Sequence, residues 1–180
     1  LNNVVESLRR QKEPDELDAI RKAAHLQSEA YQWLLTWVKP GMREREVANR
    51  LDAWMREHGA EKASFDTIVA SGPNSAKPHW TAGDRQLQEH DPVTLDFGYF
   101  VDGYTADMTR TFFIGAPTDQ MKKIYNLVNQ ARKAVIDQIR PGVRGDRLDR
   151  AGRSLIENQG FGEYFQHGMG HGIGLAIHEL

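Results

Sequence analysis

Two stretches of this chain repeat one another. VKPGMREREVANRLDAWMREHG, residues 38–59, lies over IRPGVRGDRLDRAGRSLIENQG, residues 139–160, at an offset of 101 positions with no gap. Pro40/Pro141, Gly41/Gly142, Arg43/Arg144 and Gly59/Gly160 are identical. Val38/Ile139, Met42/Val143, Val47/Leu148, Trp54/Leu155 and Met55/Ile156 keep their apolar character. Proline followed by glycine ends a helix, apolar residues three or four apart start the next, and a final glycine stops it. A chain that uses such a unit twice is expected to fold as two related helix-helix-strand halves.

Around the repeat the pattern predicts further elements. A helix opens at Pro14, a favoured first-turn residue, and runs to about Val38 with Leu17, Ile20, Ala24, Tyr31, Leu34, Leu35 and Val38 on one face. The next buries Val47, Leu51, Trp54 and Met55 and ends near Gly59. SFDTIVAS reads as a strand and GPNSAKPHWTAGD as a turn-rich loop. VTLDFGYF and YTADMTRTFFI are β-branched and aromatic runs meeting around Asp102-Gly103, a hairpin signal. A third helix spans roughly Thr118 to Ile139 through Met121, Ile124, Val128, Ala131, Val135 and Ile139, and a fourth runs from about Asp146 to Gln159. The first half finishes near Gly115, so the second should finish near position 216, leaving about 36 residues of a second hairpin beyond Leu180.

Asp96 and Asp107 fall on the two strands of this hairpin. Whether the turn centres on Val101-Asp102 or on Asp102-Gly103, both side chains share one sheet face, opposite each other or one diagonal apart. Carboxylates that close repel, and a cation is the natural compensation. Inside apolar strands, unpaired carboxylates are costly. The DFG triplet lacks the lysine strand and HRD loop of a kinase.

Three of the seven histidines fall in the last fourteen residues. His171 sits in HGMGHGIG among Gly168, Gly170, Gly172 and Gly174, a run without the Lys-Ser/Thr ending of a phosphate loop. Such glycine density lets backbone approach a ligand closely. His79 in AKPHW and His178 in AIHEL fall at near-equivalent places in the two halves, where imidazoles suit binding a substrate carbonyl or a developing oxyanion. His167 reads as loop scaffold, and His25, His58 and His90 as surface positions.

Composition limits the alternatives. With 39% hydrophobic and 27% charged residues the chain is neither disordered nor a membrane protein, and its 180 residues suggest a single domain with a proper core. A net charge of -2 gives no basis for binding nucleic acid or an anionic membrane. The absence of cysteine excludes disulfides, zinc–thiolate sites and thiol nucleophiles and fits the cytoplasm. LNNVVESLRR lacks the apolar core of a signal peptide.

Taken together, LDFGYFVDGYTADMTRTFFIG and HGMGHGIGLAIHE resemble the ligand hairpin and histidine segment of the pita-bread metallopeptidases, the family of methionine aminopeptidases, prolidases and aminopeptidase P. The resemblance runs from about Glu13 to Leu180, and DMTRTF and SGPNSAKPH look like the prolidase and aminopeptidase P branch. It implies an α+β pita-bread fold with two pseudo-symmetric halves around a curved antiparallel sheet, the second half incomplete. Residues 1–13 would be the tail of a connector from an N-terminal domain, and residues 14–180 the catalytic domain without its C-terminal part. Asp96, Asp107 and His171 would be ligands of a two-metal centre, with His79 and His178 contacting substrate. The family's last two ligands, glutamates on the second hairpin, have no counterpart up to Leu180. Trp80 stands where relatives often have glycine.

The expected activity is metal-dependent exopeptidase hydrolysis of Xaa-Pro bonds in short peptides through a metal-bridged hydroxide, as dipeptidase or aminopeptidase. Carboxylate-rich ligation with one imidazole favours two manganese ions, with cobalt or zinc as alternatives. The 180-residue chain with half a site is expected to be inactive, and a homodimer is expected from relatives. The rival readings are a non-catalytic scaffold for partner binding and a creatinase-like C–N hydrolase.

Overall fold

The computed structural model describes residues 3–180 and divides into two compact units. One runs up to Pro117 and includes Gly172–Leu180; the other is Thr118–His171.

The first unit begins with a short helix, α1 (Val4–Arg9), followed by α2 (Pro14–Leu35) and α3 (Glu44–Glu57). Strands β1 (Lys62–Ala63), β2 (Ile68–Ser71), β3 (Pro92–Val101) and β4 (Tyr104–Phe113) form one antiparallel sheet. β3 is its centre, paired with β4 along one edge and with β1 and β2 at successive positions along the other. The hairpin closes with Val101 opposite Tyr104, leaving Asp102 (φ 51°) and Gly103 (φ 76°) as a two-residue turn. Two successive positive φ angles match the right-handed strand twist, which is why Asp-Gly works here.

Alternation along β3 separates two faces. Val93, Leu95, Phe97 and Tyr99 are fully buried and pack with Leu34 of α2, Val47, Leu51 and Met55 of α3, and Val69 of β2. Thr94, Asp96, Gly98 and Phe100 turn to the other face. The buried Tyr99 hydroxyl donates to Asp52 and lies 3.2 Å from the Thr67 hydroxyl, so the core carries a satisfied phenol.

The inward face of α2 differs from the expected one. Leu17 and Leu35 are exposed, and the buried stripe is Ala19, Ala23, Gln27, Ala30 and Leu34. Small side chains let the helix lie close to the sheet, so the Gln27 amide donates directly to the Ala106 carbonyl of β4 at 2.9 Å. The helix also stops at Leu35 rather than Val38, because Thr36 and Trp37 tighten onto Trp33 and Leu34.

The second unit holds α4 (Asp119–Ile136), α5 (Gly145–Asn158) and the segment that follows them. Here Leu127 and Ala131 are buried, whereas Ile124, Val128 and Ile139 from the expected inner face are exposed. A two-helix unit has a single seam to fill, and it does not accommodate the whole apolar set.

The repeat is present in the backbone. α3 and α5 both have 14 residues and start at Glu44 and Gly145, positions equivalent in the alignment. Gly41 and Gly142 take φ 87° and 81°, and Gly59 and Gly160 take φ 104° and 81°. Ala60 N–H donates to Met55 O as Phe161 N–H does to Ile156 O, at 3.0 and 3.1 Å. After that point the copies part: Lys62–Ala63 enters the sheet, while Gly162–Tyr164 forms a 3₁₀ turn.

Candidate metal and substrate site

Asp96 lies opposite Thr109, and Asp107 opposite Gly98. The two carboxylates are therefore one diagonal apart on the same face of the hairpin, the closer specification of the two that the sequence left open. Diagonal neighbours stand roughly 7–8 Å apart at the backbone, a gap two aspartates can close around one cation. The Thr109 hydroxyl donates to Asp96 Oδ1 at 2.6 Å, which orients one carboxylate. Gly98 keeps the face flat beside Asp107, since a Cβ there would meet Phe65 at 2.8 Å and the Ala106 carbonyl at 2.9 Å.

His79 lies exposed on the loop between β2 and β3. The loop opens with a 3₁₀ turn, Gly72–Ala76, and is tied down from beneath by Glu44, the first residue of α3. Glu44 is fully buried. Its Oε1 accepts from Ser71 N–H (2.8 Å), Ser71 Oγ (2.7 Å) and Asn74 Nδ2 (3.0 Å). Its Oε2 accepts from Trp80 Nε1 (2.8 Å) and Gly83 N–H (3.2 Å). Burial pushes this carboxyl up, but the Asn74, Ser71 and Trp80 bonds outweigh it and hold the group below the usual carboxylate range. The Lys77 ammonium stands 4.2 Å from the centre of the Trp80 ring.

His178 is carried by Gly172–Leu180, which folds back on itself. Gly172 and Glu179 exchange backbone hydrogen bonds of 3.1 and 2.8 Å, and the segment joins the hairpin where Thr105 N–H donates to Gly174 O at 2.9 Å. The neighbouring Glu179 side chain is nearly buried and receives Arg9, Lys12 at 2.9 Å and the Ala176 N–H at 3.1 Å. Burial alone would raise its pKa, yet Lys12, Arg9 and the Ala176 amide pull it down to about 2. Two cations from the α1 end of the chain thus fix the residue next to His178.

In the second unit the glycine-rich segment leading to His171 is held by α5. Arg153 pairs with Asp149 and donates to the carbonyls of Phe165 and His167, each at 2.8 Å. Met169 N–H donates to Asp149 at 3.2 Å. His167 accordingly serves the loop through its backbone carbonyl.

The fold brings Asp96 and Asp107 onto one face and places His79 and His178 in the same unit, with His171 closing the second. Among the described residues, no three histidine, aspartate or glutamate side chains stand close enough to hold a metal ion. The donor chemistry nevertheless suits a hard or borderline divalent cation, since two oxygen donors already share a face. Glu44 and Glu179 escaped the sequence reading because a buried charge looks in sequence like any surface charge, and Arg153 because the carbonyls it binds lie 12 and 14 residues away. For Glu44 one signal existed: the repeat places Gly145 at the equivalent position.

Residues 18–180 match the model of metallopeptidase family M24. The chain is 43% identical over 175 residues to an uncharacterized peptidase, YqhT, of Bacillus subtilis (strain 168), covering 97% of this chain and 50% of that protein. The structure superposes on an Xaa-Pro dipeptidase from Bacillus anthracis with a TM-score of 0.97 at 43% identity, covering all of this chain and 51% of the other. An X-Pro aminopeptidase from Thermotoga maritima MSB8 gives a TM-score of 0.96 at 38% identity, with 99% and 51% covered. The α+β pita-bread expectation holds, and the chain spans about half the length of the relatives it matches.

Proposed function

The chain belongs to metallopeptidase family M24, and from that premise we propose that the protein hydrolyses Xaa-Pro bonds in short peptides with divalent metal ions. The observation that carries this reading is the shared face of Asp96 and Asp107 on paired strands, oriented by Thr109. Similarity to an Xaa-Pro dipeptidase and an X-Pro aminopeptidase supports the substrate class, with proline in the second position.

Asp96 and Asp107 would hold the ions, manganese being the natural choice for a carboxylate-rich set. When bound, the ions supply Lewis acidity toward the scissile carbonyl and lower the pKa of water. The protein's own side chains do the rest. His79 and His178 donate to the oxygen on which charge develops and hold the peptide in register. Thr109 keeps the Asp96 carboxylate oriented, as outer partners of metal ligands do. Residues 1–13 act as a connector, in keeping with a family match that begins at residue 18. The cysteine-free composition supports the cytoplasm as its location, and no described helix is long and apolar enough to cross a membrane.

The test is turnover by the full-length protein after chelation and after adding back manganese, cobalt or zinc. Release of proline from an Xaa-Pro dipeptide that is lost on chelation and restored by manganese supports the reading. Activity on creatine with none on the dipeptide would replace it with C–N hydrolysis, and binding without turnover of either would favour a scaffold.

A further inference from the structure

The loop from Gly72 to Gly83 contains one short 3₁₀ turn and otherwise lacks regular structure. A substrate-contacting histidine on such a segment needs something rigid beneath it. Glu44 is that support. It sits at the first turn of α3, where the helix dipole favours a negative charge. Its two oxygens receive five donors spread over Ser71, Asn74, Trp80 and Gly83, on both sides of His79. An ionised carboxylate has about four lone-pair sites, so its accepting capacity is fully used.

The same helix end is bound to the loop through its backbone. Glu44 N–H donates to Arg85 O and Arg45 N–H to Gly83 O, both at 3.0 Å. Trp80, the residue after His79, gives its indole N–H to Glu44 while its ring carries the Lys77 ammonium. Trp80 thus has a defined job as the side-chain donor to Oε2.

We propose that Glu44 is the positioning residue for His79, acting through Trp80 and Asn74 to fix where the imidazole meets the peptide substrate. This rests on the Xaa-Pro hydrolase reading above. The Glu44 carboxylate accepts from Ser71, Asn74, Trp80 and Gly83. Its effect passes through the loop, and displacements of about 1 Å in such a support can cost roughly 100-fold in rate.

The experiment is a double-mutant cycle in the full-length, metal-loaded protein, with kcat and KM measured separately on an Xaa-Pro dipeptide. E44Q puts an NH₂ group against N–H donors, and kcat/KM is expected to fall about 10–100-fold. In the H79A background the same change should cost less than about twofold, because the group it positions is already gone. W80F removes a single donor and keeps the ring. It should show a smaller loss that likewise vanishes in H79A, and it preserves the test if E44Q does not fold. Losses that multiply in the double variants, or a folded E44Q with unchanged kcat/KM, overturn the proposal and leave the hydrolase reading standing. Full activity in H79A removes His79 from the site and overturns the proposal with it, and absence of Xaa-Pro hydrolysis in the parent protein marks failure of the underlying reading.

Discussion

Asp96 and Asp107 lie on the same face of one hairpin, Asp107 opposite Gly98 and Asp96 two residues back along β3, opposite Thr109. Without a cation, two carboxylates in this relationship repel. Asp107→Asn in the full-length protein is therefore expected to keep or slightly raise the metal-free Tm while nearly abolishing turnover. Loss of an outer partner of a metal ligand costs about 10–100-fold, and loss of Asp107, a ligand in the proposed site, should reach at least the upper end. A calorimetric melt paired with initial rates checks both arms, and wild-type turnover in this variant would remove Asp107 from the site.

Gly98 has no room for a methyl group. Its Cβ would lie 2.9 Å from the Ala106 carbonyl, which also accepts from Gln27, and 2.8 Å from the Phe65 ring. Gly98→Ala should destabilise the chain by about 1–3 kcal/mol, the usual cost of overpacking. The urea midpoint measures it. An unchanged midpoint would mean that β3 and β4 shift apart freely at this position.

The Glu179 clamp gives stability a defined dependence on pH. Its folded pKa of about 2 lies below the ordinary 4.5. A depressed carboxylate stabilises fully above its unfolded pKa and loses that contribution as pH falls through its folded pKa. The stability gap between wild type and Glu179→Gln is thus expected to be constant above about pH 5 and to shrink between 4.5 and about 2. Glu16 is the nearby like charge, and Arg9 and Lys12 are the opposing ones. Urea melts across pH 2–7 test this, and a gap that stays flat throughout would exclude the clamp.

Arg153 holds its loop through planar, multi-donor contacts to Asp149, Phe165 O and His167 O. Lysine keeps the charge but cannot reproduce that fork. Arg153→Lys should loosen residues 165–169 and raise their amide exchange by about tenfold, the loss of roughly one charge-assisted hydrogen bond. Exchange mass spectrometry on that peptide decides, and unchanged protection would mean that Asp149 and Met169 suffice.

Much of this molecule was legible in its sequence. The hairpin, the Asp102-Gly103 turn, the shared face of Asp96 and Asp107 and the duplicated helix pair follow from local periodicity and turn chemistry, which act over a few residues. Tertiary structure decided the rest. Only packing could show that α2 buries Ala19, Ala23 and Gln27 rather than Leu17 and Leu35, because close approach to a sheet rewards small side chains over large ones. Only packing could make Glu44 and Glu179 structural anchors, because a charge becomes one when distant donors converge on it. Ser71 and Trp80 meet Glu44 across 27 and 36 residues, and Arg9 meets Glu179 across 170, separations over which no local pattern carries information.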